Sequence, residues 1–135
     1  NEIWNIITQK NAAIQSQDMY NSMTFTSDLI NSFAWDTATL FLQNCGTNSR
    51  YSRQNSLNQE VSLMGTSEDK QCNIYDMASN LLEWTTETSN SSYGSGVIRG
   101  GTINDSKNCT NTRRSGTISS CANYIGFRPI LYINV

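Results

Sequence analysis

The sequence predicts an α+β fold, with helices in its first third and a β-rich carboxy-terminal half. Three observations carry that reading. Residues 3 to 20 set Ile3, Trp4, Ile7, Ile14 and Met19 among helix-tolerant Gln, Ala and Lys, the pattern of one amphipathic helix. A second helical run opens near Trp35 and continues through Ala38, Leu40, Phe41 and Leu42. From Leu81 onward the character changes to strand-like segments, "LLEWTTE", "GVIRGG" and "GFRPILYINV", separated by Ser, Gly and Asn clusters.

Each element has its own signals. Thr8 is a candidate N-cap for the first helix, because its hydroxyl can accept from a backbone N–H that the helix leaves unpaired. Ser32 or Asp36 can cap the second, and Gly46 stops it. Both helices should be short. Residues 46 to 72 carry Asn, Ser, Arg and Gln with few hydrophobes, which predicts a long surface loop bounded by "VSLMG" at 61 to 65. The one proline, Pro129, sits in a strand-like run and so belongs at a sheet edge or a bulge.

A chain of 135 residues fits a single domain, 1–135, with one hydrophobic core. Charged residues make up only 15% of it, whereas Asn, Ser and Thr supply 49 positions, so its surface is polar and nearly neutral. The net charge is −2 and no basic stripe is present, which speaks against nucleic acid as a partner. No apolar run approaches the roughly 18 residues that span a bilayer. The first residues, "NEIWNIITQK", lack the charged and apolar regions of a signal peptide and there is no initiator Met. The expectation is a fragment of a longer exported protein, extracellular or at a cell surface, with its signal or anchor upstream.

Cys45, Cys72, Cys109 and Cys121 match no zinc-ribbon spacing, and the chain contains no His. Two disulfides in an exported protein are one reading; four reduced, partly buried thiols are the other. If bridged, the short loops favour Cys109 with Cys121 and Cys45 with Cys72, each closure stabilising by roughly 3 kcal/mol on the chain-entropy account.

Three pieces then line up in order: "IYDMASNLLEWT" at 74 to 85, "VIRGG" at 97 to 101 and "GFRPILYI" at 126 to 133. Together they resemble the formylglycine-generating enzyme family, also called the sulfatase-modifying factor family. "SDLINSFAWDTATLFL" is similar to that family's helix before its long loop. The resemblance implies a C-type-lectin-like fold, with two short helices packed on a twisted, mostly antiparallel sheet and long irregular loops carrying the function. On their own chemistry, Trp84, Gly101 and Phe127 are core and bend residues, with Phe127 facing inward and Arg128 outward.

The family's oxidases hold copper with two cysteines, at about the fourth and ninth positions after the second glycine of the R-G-G motif. Here those positions are Asp105 and Thr110. Cu(I) is soft and requires thiolates, so that site cannot assemble as the family builds it. A sister branch of iron-dependent sulfoxide synthases relies on histidine, as do Ser-His-Asp and Cys-His nucleophiles, and none is available. The chain is therefore read as a non-enzymatic binding or display module. A divergent oxidase and a purely structural surface domain are the alternatives.

The contact surface is expected between the R-G-G and G-F-R motifs, in residues 102 to 124. A second resemblance supports this, to the variable proteins of bacterial or phage diversity-generating retroelements, which share the fold and diversify this segment by adenine-directed mutation. Asn codons and their substitution products are expected there. Ile103, Asn104, Asp105, Asn108, Cys109, Asn111 and Asn123 fit that palette, and Arg113, Arg114 and Tyr124 are the natural anchors because Arg and Tyr give large contact area at modest entropic cost. The expected partner is a protein or glycan on another cell or surface. The bland alternative is a solvated, turn-rich loop.

The segment "DMASNLLE" implies, through the first resemblance, a structural calcium ion held by the carboxylates of Asp76 and Glu83 and the carbonyls of Ser79 and Leu81. Calcium takes six to eight oxygens, and a turn would gather these four. In the competing reading Asp76 is a turn cap and Glu83 a surface strand residue.

Overall fold

The computed structural model describes residues 3–45, 61, 63, 70, 71, 73–78, 80–90, 93–102 and 110–134. Most of the 46–72 loop, together with Ser79 and residues 103–109, lies outside them. Helix α1 spans Gln9–Met19, and Thr8 caps it as expected, its side chain accepting from the Asn11 N–H at 3.3 Å. The helix begins later than the apolar pattern suggests. Ile3 and Trp4 belong instead to an extended entry segment that bridges Asn5 to Gly126.

Helix α2 spans Ser32–Cys45. Its cap is neither Ser32 nor Asp36 but Asn31, whose side-chain oxygen accepts from the Ala34 N–H at 2.9 Å. Tertiary partners claim the other two side chains: Ser32 donates to Glu87 and Asp36 pairs with Arg99.

The strands are β1 (Phe25–Leu29), β2 (Lys70–Gln71), β3 (Ile74–Tyr75), β4 (Leu82–Thr88), β5 (Ser95–Arg99), β6 (Arg113–Thr117), β7 (Ile125–Phe127) and β8 (Pro129–Ile133). The main sheet has the order β6-β5-β4-β7, antiparallel except for the parallel β4–β7 pair. Strands β1 and β8 form a separate antiparallel ribbon, and β2 and β3 another. Pro129 opens β8 opposite Leu29, at the end of a two-stranded ladder where a missing N–H is tolerated.

Two apolar clusters hold the layers together. Ala12 of α1 packs with Leu29, Leu82, Trp84, Ile98, Ile125 and Phe127 on one face of the sheet. On the other side Trp35 and Leu42 of α2 pack with Ile30 and Met77. Alternation along β4 explains the division: Leu82 and Trp84 face α1, whereas Glu83 and Thr85 face the opposite way. Trp84 is fully buried and its indole N–H donates to the Ile7 carbonyl at 2.9 Å, tying the entry segment to the sheet. Gly116 lies flat beneath that indole, where a Cβ would come within 2.9 Å of the ring.

Candidate functional site

The expected contact segment springs from a rigid base. Arg99 ends β5, and Gly100 turns the chain with φ of 84°, a conformation that L side chains resist. A Cβ there would also lie 3.0 Å from the Met77 carbonyl and against the Trp35 ring. Thr102, where the chain leaves, and Thr110, where it returns, are both buried. The Trp35 indole N–H donates to the Thr110 carbonyl at 2.7 Å, and the Gly100 N–H to Thr112. The Arg99 guanidinium stacks 5.9 Å from the Trp35 ring centre and pairs with Asp36. Both ends of the segment 103–109 are thus clamped to α2. Ile103, Asn104, Asp105, Asn108 and Cys109 themselves lie outside the described residues.

Of the remaining contact residues, Asn111, Arg113, Arg114, Asn123 and Tyr124 are all exposed. The sheet does not gather them at one point. Arg113, Arg99, Glu83 and Gly126 make one row across β6, β5, β4 and β7. Arg113 and the Tyr124 that precedes β7 therefore stand at opposite edges, roughly 14 Å apart at the usual strand spacing. Arg113 and Arg114, being adjacent on β6, point to opposite faces.

Arg113 is also engaged within the protein. Its guanidinium donates to the Glu87 carboxylate, whose other oxygen accepts from Ser32. The hydrogen bond from Arg113 is the main cause that holds the Glu87 carboxyl below its ordinary value of 4.5. Glu87 thereby joins an edge strand, a central strand and the start of α2, a role the sequence did not announce.

The acidic corner differs most from expectation. Asp76 and Glu83 do come together, and both are buried. Asp76 turns with φ of 54° and Asn80 with φ of 69°, the left-handed region that Asp and Asn tolerate better than most residues. Glu83 is not a surface residue, however, and Arg128 does not point to solvent. The Arg128 guanidinium donates to both Glu83 oxygens at 2.8 Å and to the Tyr75 carbonyl at 2.7 Å. Burial nevertheless raises the Glu83 carboxyl above 4.5, outweighing the attraction of Arg128, and the neighbouring Asp76 charge adds to the rise. A calcium ion at this corner has to enter beside or in place of that guanidinium. Leu81, the expected carbonyl donor, is half-buried, and Ser79 lies outside the described residues. Among the described residues no group of three or more His, Cys, Asp or Glu side chains is arranged to hold a metal. Cys121 is exposed and its thiol is free, whereas its expected partner Cys109, and Cys72 of the other expected pair, lie outside the described residues.

Residues 14–133 match the model of the sulfatase-modifying factor enzyme 1-like domain, nearly the whole chain. The chain belongs to this family. Three solved structures share the fold of this sulfatase-modifying-factor-like domain. Treponema denticola variable protein 1 aligns with a TM-score of 0.59 at 16% identity, over 77% of this chain and 47% of its own. CarF aligns with a TM-score of 0.62 at 21% identity, over 82% and 48%. PvdO from Pseudomonas aeruginosa aligns with a TM-score of 0.63 at 14% identity, over 97% and 61%. The domain thus spans about half to three-fifths of these proteins. No curated protein matches its sequence. The C-type-lectin-like fold read from the three motifs is the fold observed. Of the two positions where the family's oxidases carry cysteine, Asp105 lies outside the described residues, and Thr110 is a buried threonine whose carbonyl is held by Trp35.

Proposed function

We propose that the domain is a non-enzymatic binding module that displays residues 102–124 to a protein or glycan ligand. The observation that carries this is the clamped base: Thr102 and Thr110 are buried and the Trp35 indole holds the Thr110 carbonyl, while the chain beyond Thr110 turns outward with Asn111, Arg113 and Arg114 exposed. A rigid scaffold that holds both ends of a polar segment lets its sequence vary without cost to the core. The fold shared with a Treponema denticola variable protein supports the same reading.

The distribution of the anchors shapes the proposal. Tyr124 and Arg113 are too far apart for one small sugar, so a protein surface or an extended glycan suits them better, and Arg114 serves a different face. Screening the purified domain on a glycan array and against cell-surface protein libraries tests the idea. Tyr124→Ala and Arg113→Ala should each weaken a selected ligand at least tenfold. Binding indifferent to both sends the contact surface elsewhere. Copper titration addresses catalysis: thiol-dependent Cu(I) binding at one equivalent with oxygen consumption would establish the oxidase reading instead.

A further inference from the structure

Strand β8 leaves one of its edges open. In an antiparallel pair, the residues that exchange hydrogen bonds alternate with residues whose backbone groups point away from the partner. The Ile30 N–H donates to the Arg128 carbonyl at 3.0 Å and the Asn134 N–H to the Thr24 carbonyl at 2.9 Å, so residues 128, 130, 132 and 134 turn their backbone groups toward β1. Pro129, Leu131 and Ile133 turn theirs the other way, and among the described residues no strand pairs with that edge. The far edge of β1 is already occupied: the Ser27 N–H donates to the Tyr20 carbonyl at 2.9 Å, and the Phe25 carbonyl accepts from the Ser22 N–H at 2.8 Å. Leu131, Tyr132 and Ile133 are exposed, and no charged side chain occurs between Pro129 and Asn134 to ward off another strand.

We propose that this edge pairs with the same edge of a second copy of the chain, antiparallel about a two-fold axis at Tyr132, giving a dimer with the strand order β1-β8-β8-β1. In that register Leu131 lies opposite Ile133 of the second copy and the two exchange both hydrogen bonds. The axis repeats the exchange, so the outward N–H and C=O of Leu131 and Ile133 are all satisfied. A register centred on Leu131 sets Ile133 against Pro129, which has no N–H for the Ile133 carbonyl. The side chains agree with the first register: Leu131 meets Ile133 as an apolar cross-strand pair, and the two Tyr132 rings meet at the closely spaced, non-hydrogen-bonded position. The Tyr132 hydroxyl already accepts from the Asn31 side chain at 2.9 Å, which holds that ring before the copies meet. Self-pairing brings no like charges together, and an edge without charge has nothing with which to select a charged foreign peptide. Because the far edge of β1 is occupied, the assembly closes at two copies. The contact is small, at the low end of specific interfaces, so the dimer should be weak and form toward millimolar chain.

Sedimentation equilibrium of the whole domain from micromolar to millimolar chain should show monomer and dimer with no larger species. Ile133→Pro removes an outward N–H and no hydrogen bond to β1, so it should weaken the dimer at least tenfold while the melting midpoint holds. Two double variants test the register, because residue 131 of one copy faces residue 133 of the other. Leu131→Lys with Ile133→Lys should leave only monomer, whereas Leu131→Glu with Ile133→Lys should still dimerise. Both place charges at the same exposed positions, so their melting midpoints should match. The loop variants Tyr124→Ala and Arg113→Ala should leave the dimer intact, so failure here and failure of the display reading are separable. A chain that stays monomeric at millimolar concentration, a folded Ile133→Pro that dimerises as the wild type does, equal association of the two double variants, or growth beyond two copies overturns the proposal; if Ile133→Pro proves unfolded, the double variants decide. A monomer that instead captures an extended apolar peptide also overturns it and assigns the edge to a foreign strand.

Discussion

Arg128 shows how a single side chain changes the reading of its surroundings. A buried carboxylate without its partner is costly, so Arg128→Ala should destabilise by about 3–5 kcal/mol. Arg128→Met combined with Glu83→Gln removes both charges and should recover most of that loss. Equilibrium urea unfolding of the two single variants and the pair measures the coupling; additive losses would mean that the observed bidentate pair contributes little. Ile6 offers the opposite test. It adopts φ of 54° with an exposed side chain, and a β-branched residue is strained there by about 1–2 kcal/mol. Ile6→Gly should therefore stabilise, by up to about 1 kcal/mol after the extra chain entropy of glycine is counted. A lower urea midpoint would show that the Ile6 side chain contributes more than its exposure suggests.

Among the elements, α2 is held at its start by two separate devices. Asn31 caps it, and Asn31→Ala should cost about 1 kcal/mol. Ser32 reaches Glu87, which in turn holds Arg113 on β6. The Glu87 carboxyl is lowered from 4.5, so its contribution to stability is fully present above that value and is lost as pH falls through the lower folded value. The stability gap between the wild type and Glu87→Gln should accordingly narrow as pH is taken from about 6 to about 3. Glu83 works in the opposite sense: because its carboxyl is raised, the folded state retains a proton that the unfolded chain has released, and this group's contribution weakens as pH rises above 4.5. Melting curves of Glu87→Gln and Glu83→Gln across that range separate the two, and a constant gap for Glu87→Gln would refute the lowered value.

At the scale of the whole molecule, the sheet sets the candidate anchors at opposite edges. Arg113 and Arg114 lie on β6 and Tyr124 immediately before β7, with β5 and β4 between them. Exchanging Asn111, Arg113, Arg114, Asn123 and Tyr124 together should thus shift the melting midpoint by only a few degrees, because all five are exposed. A collapse of the midpoint would make these residues part of the scaffold. If the corner takes the expected calcium ion, calcium should raise the same midpoint and Asp76→Ala should abolish that rise; a midpoint indifferent to both calcium and chelator would leave the corner to the Glu83–Arg128 pair.

The sequence alone determined those features set by local chemistry and by short apolar patterns. The Thr8 cap, the α2 run, the β-rich second half and the edge position of Pro129 each depend on residues within a few positions, and the three ordered motifs led to the family and the fold. What the tertiary structure decided were partnerships across the chain. Glu83 and Arg128 are 45 residues apart and meet because β7 lies parallel to β4, one strand away. Asn31 caps α2 because Ser32 and Asp36 are claimed by Glu87 and Arg99, 55 and 63 residues further on. The separation of Arg113 from Tyr124 follows from strand order, which spacing along the chain does not encode. A charged side chain takes whichever partner desolvation and geometry leave to it, and only the folded arrangement of strands settles which one that is.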